Sequence, residues 1–436
     1  MQEVIPLHQS TLHTSTICGP DFWREFAEQY WERASGAFPG VFASPPIPPS
    51  MAFEAAVGLA DAARSGNVIT DPCIWLDGQK LPDPVPHLPM KSDKTFEAYG
   101  SRLRRETGAR EYTALFPELH YYDARLLRAA RQILRDVVGA CGLPSGWSDT
   151  ALFVGDYERT PFGIHYGPMS VLTVPVIGRK TFRVWTEEEI AMHQELVGVT
   201  RYDAGQSRSK LLNASPGDLV YWPSREWHIA EAEAVDGPTA ALSFGFWTSH
   251  RECHPLRQVA KISERLLTAK PAPPGRDLVS TRVPAAETGD NSPLPEGWAH
   301  YLDELQALVH SGDLETELMG EYLRQSSCFG LKEVPPVLAE TVDKAAPIVL
   351  DPLAGLCTSR RGETLLVAVF GQVFTVPYHS GLLHLLSVLK ERPVGFCEFE
   401  TWFDVDPVSL SVDDAWSVIE YLASLGAVMS DAGQLP

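Results

Sequence analysis

Three side chains near the middle of this 436-residue chain are spaced for joint chemistry: His165, Lys180 and His228. His165 stands at the mouth of an apolar strand-like run in HYGPMSVLTVPVI, and Lys180 opens the next run, KTFRVW, after a turn at Ile177-Gly178-Arg179. His228 lies further on, in YWPSREWHIAEAE. A lone histidine in an apolar strand is ordinarily a core residue, and a lone lysine on an edge strand ordinarily snorkels to solvent. Two histidines on neighbouring strand ends of a small barrel project into one mouth, and with a lysine at a fixed offset they favour a site. A metal site of this layout usually carries a carboxylate two positions after the first histidine. Here that position is Gly167.

The elements that must position these residues run from about Thr150 to Thr248. ALFVGDY, HYGPMSVLTVPVI, KTFRVW, LLNASPGDLVYWP and AALSFGFW alternate or run apolar over strand-length stretches. SPGD at 215–218 and VDGP at 235–238 are turn sequences. This density of short strands predicts a small all-β barrel or sandwich. Trp222, Trp227 and Trp247 fall around the site and read as its packing.

Upstream, Gly19–Phe42 predicts a helix entered through Pro20-Asp21, with Phe22, Phe26, Tyr30 and Trp31 on one core-facing side. Helices are expected over 52–64, 94–106 and 122–140, and a strand over 73–78. Leu126, Ala130, Ile133 and Val137 recur at helical spacing. Downstream, helices over 256–269 and 298–324 flank a linker at 270–297 whose proline and polar content prevents a packed core. The last hundred or so residues read as a separate unit. It has a hairpin turning near Gly371, then helices GLLHLLSVLKER and DDAWSVIEYLASLGAV, with Ser411 capping the second. That is the layout of a winged helix. The stretch where a recognition helix should be basic, HLLSVLKERPVGFCEFETWFDVDP, is acidic, so a protein-binding or dimer-supporting role is expected rather than DNA binding.

Composition narrows the function classes. Hydrophobic residues at 44% and charged residues at 21% describe an ordinary globular protein, long enough for two or three domains. No apolar run reaches the length of a membrane span, and MQEVIPLHQSTLHTS lacks the basic start and apolar core of a signal peptide. Seven scattered cysteines, an odd number without a CxxC pair, suit a reducing cytoplasm. A formal charge of −20 disfavours broad binding to nucleic-acid phosphates. Dinucleotide-fold, P-loop, serine-hydrolase and zincin motifs are absent. Adjacent Cys253 and His254 read as a helix start, not a metal pair.

The spacing around His165 resembles that of the JmjC-type Fe(II)/2-oxoglutarate-dependent oxygenases of the cupin superfamily, especially the asparaginyl hydroxylase and ribosomal-oxygenase branch. That pattern has H-x-D on a strand, a basic residue fifteen positions after the histidine, and a second histidine after a PGD turn. The chain has His165, Lys180 fifteen positions on, Ser215-Pro216-Gly217-Asp218, and His228. Thr160-Pro161 shortly before the first histidine and Ser243 fifteen positions past the second also match. The resemblance implies an α+β fold: a double-stranded β-helix (cupin/JmjC) barrel with flanking helices and a C-terminal winged-helix-like domain. The corresponding units are a catalytic-type domain at 1–255, a linker and helical connector at 256–328, and the C-terminal domain at 329–436. It also implies Fe(II) on His165 and His228, 2-oxoglutarate anchored by Lys180 with Thr160 and Tyr157 assisting, and Ser243 near both. The implied substrate is an amino-acid side chain in a peptide or protein, or an amino-acid-derived small molecule. The connector helices resemble those that pair protomers, so a homodimer is expected, with neither nucleic acid nor membrane as partner.

Gly167 departs from that pattern, and three readings follow. Iron keeps two histidines and an open position that chloride can fill, as in 2-oxoglutarate-dependent halogenases. Or a nearby acid, Asp156, Glu158, Glu231 or Glu233, supplies the missing ligand. Or metal binding is lost and the fold serves as a binding or scaffold module. Oxidation of a C–H bond, by hydroxylation or halogenation, is the expected function, with the non-catalytic module as the alternative.

Overall fold

The computed structural model describes residues 19–202, 209–232, 237–248, 254–269, 296–332, 334–335, 341–403 and 410–430. Most of the expected linker (270–295), half of the VDGP turn, Glu233, Cys253 and the side chain of His254 lie outside them.

Helix α1 (Pro20–Gln29) starts from Gly19 with Pro20 in its first turn, where a missing N–H costs nothing. Asp21 does not cap it but pairs with Arg24 at 2.6 Å. The helix stops at Gln29, so Tyr30 and Trp31 lie beyond it, yet the aromatic side still packs inward. Phe26 meets Tyr221 at 4.9 Å and Trp31 meets Phe246 at 5.2 Å between ring centres. After β1 (Gly36–Phe38) come α2 (Pro49–Arg64), β2 (Cys73–Leu76), β3 (Gln79–Lys80), α3 (Phe96–Thr107), β4 (Tyr112–Pro117) and α4 (Ala124–Cys141). Thr95 caps α3 and Asp123 caps α4 through their side-chain oxygens. Leu126, Ala130, Ile133 and Val137 are all fully buried in the main core, as their spacing predicts.

The β segment then runs β5 (Ser148–Asp156), β6 (Met169–Ile177), β7 (Lys180–Trp185), a short α5 (Glu187–Met192), β8 (Lys210–Ala214), β9 (Leu219–Trp222), β10 (Trp227–Ala232) and β11 (Thr239–Trp247). It forms two sheets, one in the order β1-β9-β6-β11-β5-β4-β2-β3 and one in the order β10-β7-β8. Val171 and Trp222 of the first pack against Phe182 and Leu212 of the second. The turn at Ile177-Gly178-Arg179 does not close a hairpin. It carries the chain across from one sheet to the other, because β6 pairs with β9 and β11 whereas β7 pairs with β8 and β10. The stretch LLNASPGDLVYWP divides at its SPGD turn into β8 and β9, and Asp218 closes that turn by accepting from Ser215 N at 2.8 Å.

Beyond the barrel lie α6 (His254–Thr268), α7 (Glu296–Ser311) and α8 (Asp313–Ser327). The helix expected over 298–324 is therefore two, broken at Gly312, whose φ of 80° glycine adopts without strain. Ile262, Leu308 and Leu314 join the three helices in a small core. The last unit contains β12 (Ile348–Leu350), a β13–β14–β15 meander (Cys357–Arg361, Thr364–Val369, Gln372–Pro377), α9 (Ser380–Val388), α10 (Phe396–Glu400), α11 (Val412–Ser424) and β16 (Val428–Ser430), which pairs with β12. The turn between β14 and β15 falls at Gly371, and Ser411 caps α11 in a capping box with Asp414. This unit has its own core around Leu385, Phe399, Trp416 and Ile419. Cys73, Cys141, Cys328, Cys357 and Cys397 are free thiols. Among the described residues no helix is long and apolar enough to cross a membrane.

Candidate functional site

Side chains alternate across a strand, so residues two apart share a face. On β5 this turns Asp149, Ala151 and Phe153 into one cavity of about 640 Å³, and on β11 it turns in Ser243 and Gly245. Lys180, His165, Gly167 and His228 line the same cavity.

His165 lies four residues before β6 and is held there by an antiparallel bridge to His228 on β10: each backbone N–H donates to the other's carbonyl, at 3.1 and 2.7 Å. The imidazole centres are 4.4 Å apart. His165 Nδ1 lies 2.9 Å from the Gly163 carbonyl and His228 Nδ1 lies 3.3 Å from the Glu226 carbonyl. A carbonyl only accepts, so both Nδ1 atoms carry the proton and both Nε2 lone pairs are left for another partner. Burial pushes His228 down to about 3, with His165 adding to the effect, and burial lowers His165 too. Two neutral, backbone-oriented imidazoles are the donor state that a ferrous ion needs. Gly163 makes this possible locally: at φ 69° it approaches Gly198 so closely that a Cβ would run into that residue's carbonyl.

Lys180 is 1% exposed at the start of β7. Its Nζ donates to the Tyr157 hydroxyl, and among the described residues no carboxylate lies within ion-pair distance. Burial lowers its pKa to about 7 and pushes the Tyr157 phenol up. A buried ammonium without a counter-charge is costly unless an anion completes it. In the same cavity, the buried Thr160 hydroxyl has no hydrogen-bond partner among the described residues. Ser243 Oγ is 2.9 Å from Thr173 Oγ1 on the neighbouring strand. Thr160, Ser243, Tyr157, Lys180, both histidines and Gly167 are thus brought to one cavity.

At Gly167 an added Cβ would meet only Met169, at 3.7 Å from its Cγ, and the backbone does not require glycine. The described candidates for a substitute acid do not come to the histidines. Asp156 has the opposite strand parity to Asp149 and Phe153 and pairs with Arg104. Glu158 is 72% exposed beside Arg159. Glu231 accepts from Arg183 Nε at 3.0 Å and from the Tyr202 hydroxyl at 2.5 Å. Among the described residues no group of three His, Cys, Asp or Glu side chains is placed to hold a metal. Among the described residues the donors fit a two-histidine centre.

The lining also includes Glu118, Trp147, Asp149 and Lys332, none of which was anticipated. The alternation along SDTALFVGD could have placed Asp149 with Ala151 and Phe153. Nothing local marks Lys332, which reaches the cavity from beyond the helical connector.

Residues 143–252 match the sequence profile of the JmjC domain. No curated protein matches the sequence. Among solved structures, the chain is similar to Escherichia coli YcfD, at 15% identity and a TM-score of 0.52, with 93% of this chain and 97% of that chain covered. A structure described as the E. coli ribosomal oxygenase YcfD matches at 16% identity and 0.51, over the same shares. So does one of YcfD in complex with cobalt and 2-oxoglutarate. Residues 143–252 form a JmjC domain, set in a fold that the chain shares over most of its length with the ribosomal oxygenase YcfD.

Proposed function

We propose that the protein is an Fe(II)/2-oxoglutarate-dependent oxidase of a C–H bond in an amino-acid side chain, carried by a peptide or protein or by an amino-acid-derived small molecule. The observation that carries this reading is the convergence on one cavity of two Nδ1-protonated imidazoles and a buried ammonium that has no carboxylate partner among the described residues. When bound, iron and 2-oxoglutarate supply an oxidant able to attack an unactivated C–H bond. His165 and His228 would hold the metal through Nε2, with the Gly163 and Glu226 carbonyls fixing their ring orientation. Lys180 would neutralise the distal carboxylate of 2-oxoglutarate, assisted by the Tyr157 and Thr160 hydroxyls. The apolar barrel wall around Phe153 and Phe182 would exclude water from that ion pair.

With Asp156, Glu158 and Glu231 engaged elsewhere, the geometry favours a metal held by the two histidines over one with a described substitute acid: chloride bound beside them would direct the oxidation to halogenation, and without it the product would be hydroxylated. The lack of a carboxylate also supports a second reading, a JmjC-like binding or scaffold module. Exposed Tyr301, Leu302, Val309 and Tyr322 on α7 and α8 favour pairing of protomers through the connector. We further read the units as 1–255, 256–328 and 329–436, the last winged-helix-like, in a cytoplasmic protein.

The test loads the protein with Fe(II) without oxygen and measures bound metal, then 2-oxoglutarate-to-succinate turnover with and without chloride. Metal at two-histidine stoichiometry with turnover supports the oxidase. No metal and no turnover under either condition leaves the binding module.

A further inference from the structure

The cavity is polar at both ends of β5. Past its far end lie Tyr157 and Lys180; at its near end a rim is assembled from segments distant in sequence. After α8, Phe329 and Gly330 both take left-handed backbone, with φ of 54° and 80°, and throw the chain against the start of β5. Ser148 N donates to Gly330 O at 2.5 Å and Lys332 N donates to Ser148 O at 3.0 Å, while Leu331 is 1% exposed in the main core. A Cβ at Gly330 would come within 2.9 Å of Ser148 Oγ, so this approach needs glycine twice over. Lys332 is therefore delivered to the rim by the fold.

Its ammonium lies 3.1 Å from Glu118 Oε1 and 5.9 Å from the centre of the Trp147 ring. Glu118 is buried, sits at φ 49° and accepts from Thr70 Oγ1 at 2.9 Å. Trp147 packs on Trp247 at 4.9 Å, and Trp247 Nε1 donates to Asp149 Oδ2 at 3.3 Å. Across from Asp149 stands Gly245, where a Cβ would come within 2.6 Å of both Asp149 Oδ1 and Met169 Sδ. Among the described residues the charged groups acting on Asp149 are Glu118 and Lys332; the β11 and β6 residues beside it, Gly245 and Met169, are uncharged, and His120 is bonded to the neighbouring Thr150.

We propose that Lys332 is a positioning residue that sets the specificity of the cavity mouth: paired with Glu118, it leaves Asp149 as the carboxylate that receives a hydrogen-bond donor of the substrate. This rests on the cavity being the substrate site. Without Lys332 the rim would hold two like charges side by side and would accept a different substrate group. Burial pushes the Asp149 carboxyl up to about 6, Glu118 adds to that, and Lys332 opposes it.

Trp147 and Trp247 report directly on this rim, so intrinsic fluorescence followed across the acid range in the metal-free protein tests the assignment. The wild type should show a transition at about 6. The midpoint should rise by about half a unit or more in Lys332→Met, return in Lys332→Arg, and disappear in Asp149→Asn. An unchanged midpoint in Lys332→Met, or a transition that survives Asp149→Asn, overturns the assignment. Lys332→Gln provides the same comparison if the methionine variant does not fold. No iron or 2-oxoglutarate is used, so this result and the outcome of the turnover assay are independent.

Discussion

His165 and His228, on segments that are far apart in sequence, exchange two backbone hydrogen bonds and hold their imidazole centres 4.4 Å apart, each ring turned by the backbone carbonyl two residues before it. The pairing makes the two rings one unit, so a change to either should be felt as a change in metal affinity. Gly167 offers that unit no side chain, although one would fit, and no other described residue supplies a third ligand.

Gly167→Asp should therefore fold normally and add an anionic ligand. We expect Co(II) or Fe(II) to bind at least about tenfold more tightly, about 1.4 kcal/mol, by calorimetry. If chloride occupies the open position in the wild type, chlorinated product should fall and hydroxylated product rise in the same variant. Tighter metal with unchanged products removes the halide idea.

Lys180 makes two opposed predictions. Lys180→Met should cost about 2–5 kcal/mol of 2-oxoglutarate affinity by removing a buried charge partner. In the absence of ligand the same change should raise the thermal midpoint, since it removes a desolvated charge. The folded chain releases the Lys180 proton at about 7, whereas the unfolded chain keeps it to about 10.5. Stability of the wild type should thus increase as pH rises through that window, and denaturant titrations of Lys180→Met should lack that increase.

Gly163→Ala tests the support beneath His165. The methyl group would collide with the Gly198 carbonyl at a φ that alanine avoids. Displacing the Gly163 carbonyl frees the Nδ1 proton of His165, and metal affinity should drop roughly 10–100-fold, as for lost orienting partners elsewhere. Gly139→Ala, on the helix α4, has no neighbour within 4 Å of the new methyl and should leave metal binding unchanged.

Arg131 joins the barrel to the last unit. It is 2% exposed on α4, donates from Nε to Leu353 O at 3.0 Å and from Nη2 to Ser327 O at 2.9 Å, and lies between the Phe329 and Phe370 rings. Arg131→Ala strands both carbonyls and should cost about 2–4 kcal/mol, read as a lower denaturation midpoint. If the two cores are coupled through this residue, calorimetry should also resolve two transitions in place of one.

Local pattern was enough for much of this. The spacing of Leu126, Ala130, Ile133 and Val137 marked α4, the SPGD turn separated β8 from β9, and the distances in sequence from His165 to Lys180, His228 and Ser243 marked the cavity. Those signals are legible because helix period, strand period and turn chemistry act over a few residues. The single helix expected across Gly312 failed because a glycine in a helical pattern can either be tolerated or take the left-handed backbone that ends it, and the choice depends on packing.

The sequence by itself determined that two histidines and a lysine fall in or beside strand-forming runs and that no carboxylate stands two positions after the first histidine, since residue identity and strand alternation are local properties. Only the tertiary structure decided that Ile177–Arg179 crosses between sheets, that Asp156, Glu158 and Glu231 are held by arginines away from the histidines, and that Lys332 arrives at the cavity mouth. Each of these depends on which distant segments lie side by side. Charge pairing and burial are fixed by that juxtaposition, and no window of sequence contains it.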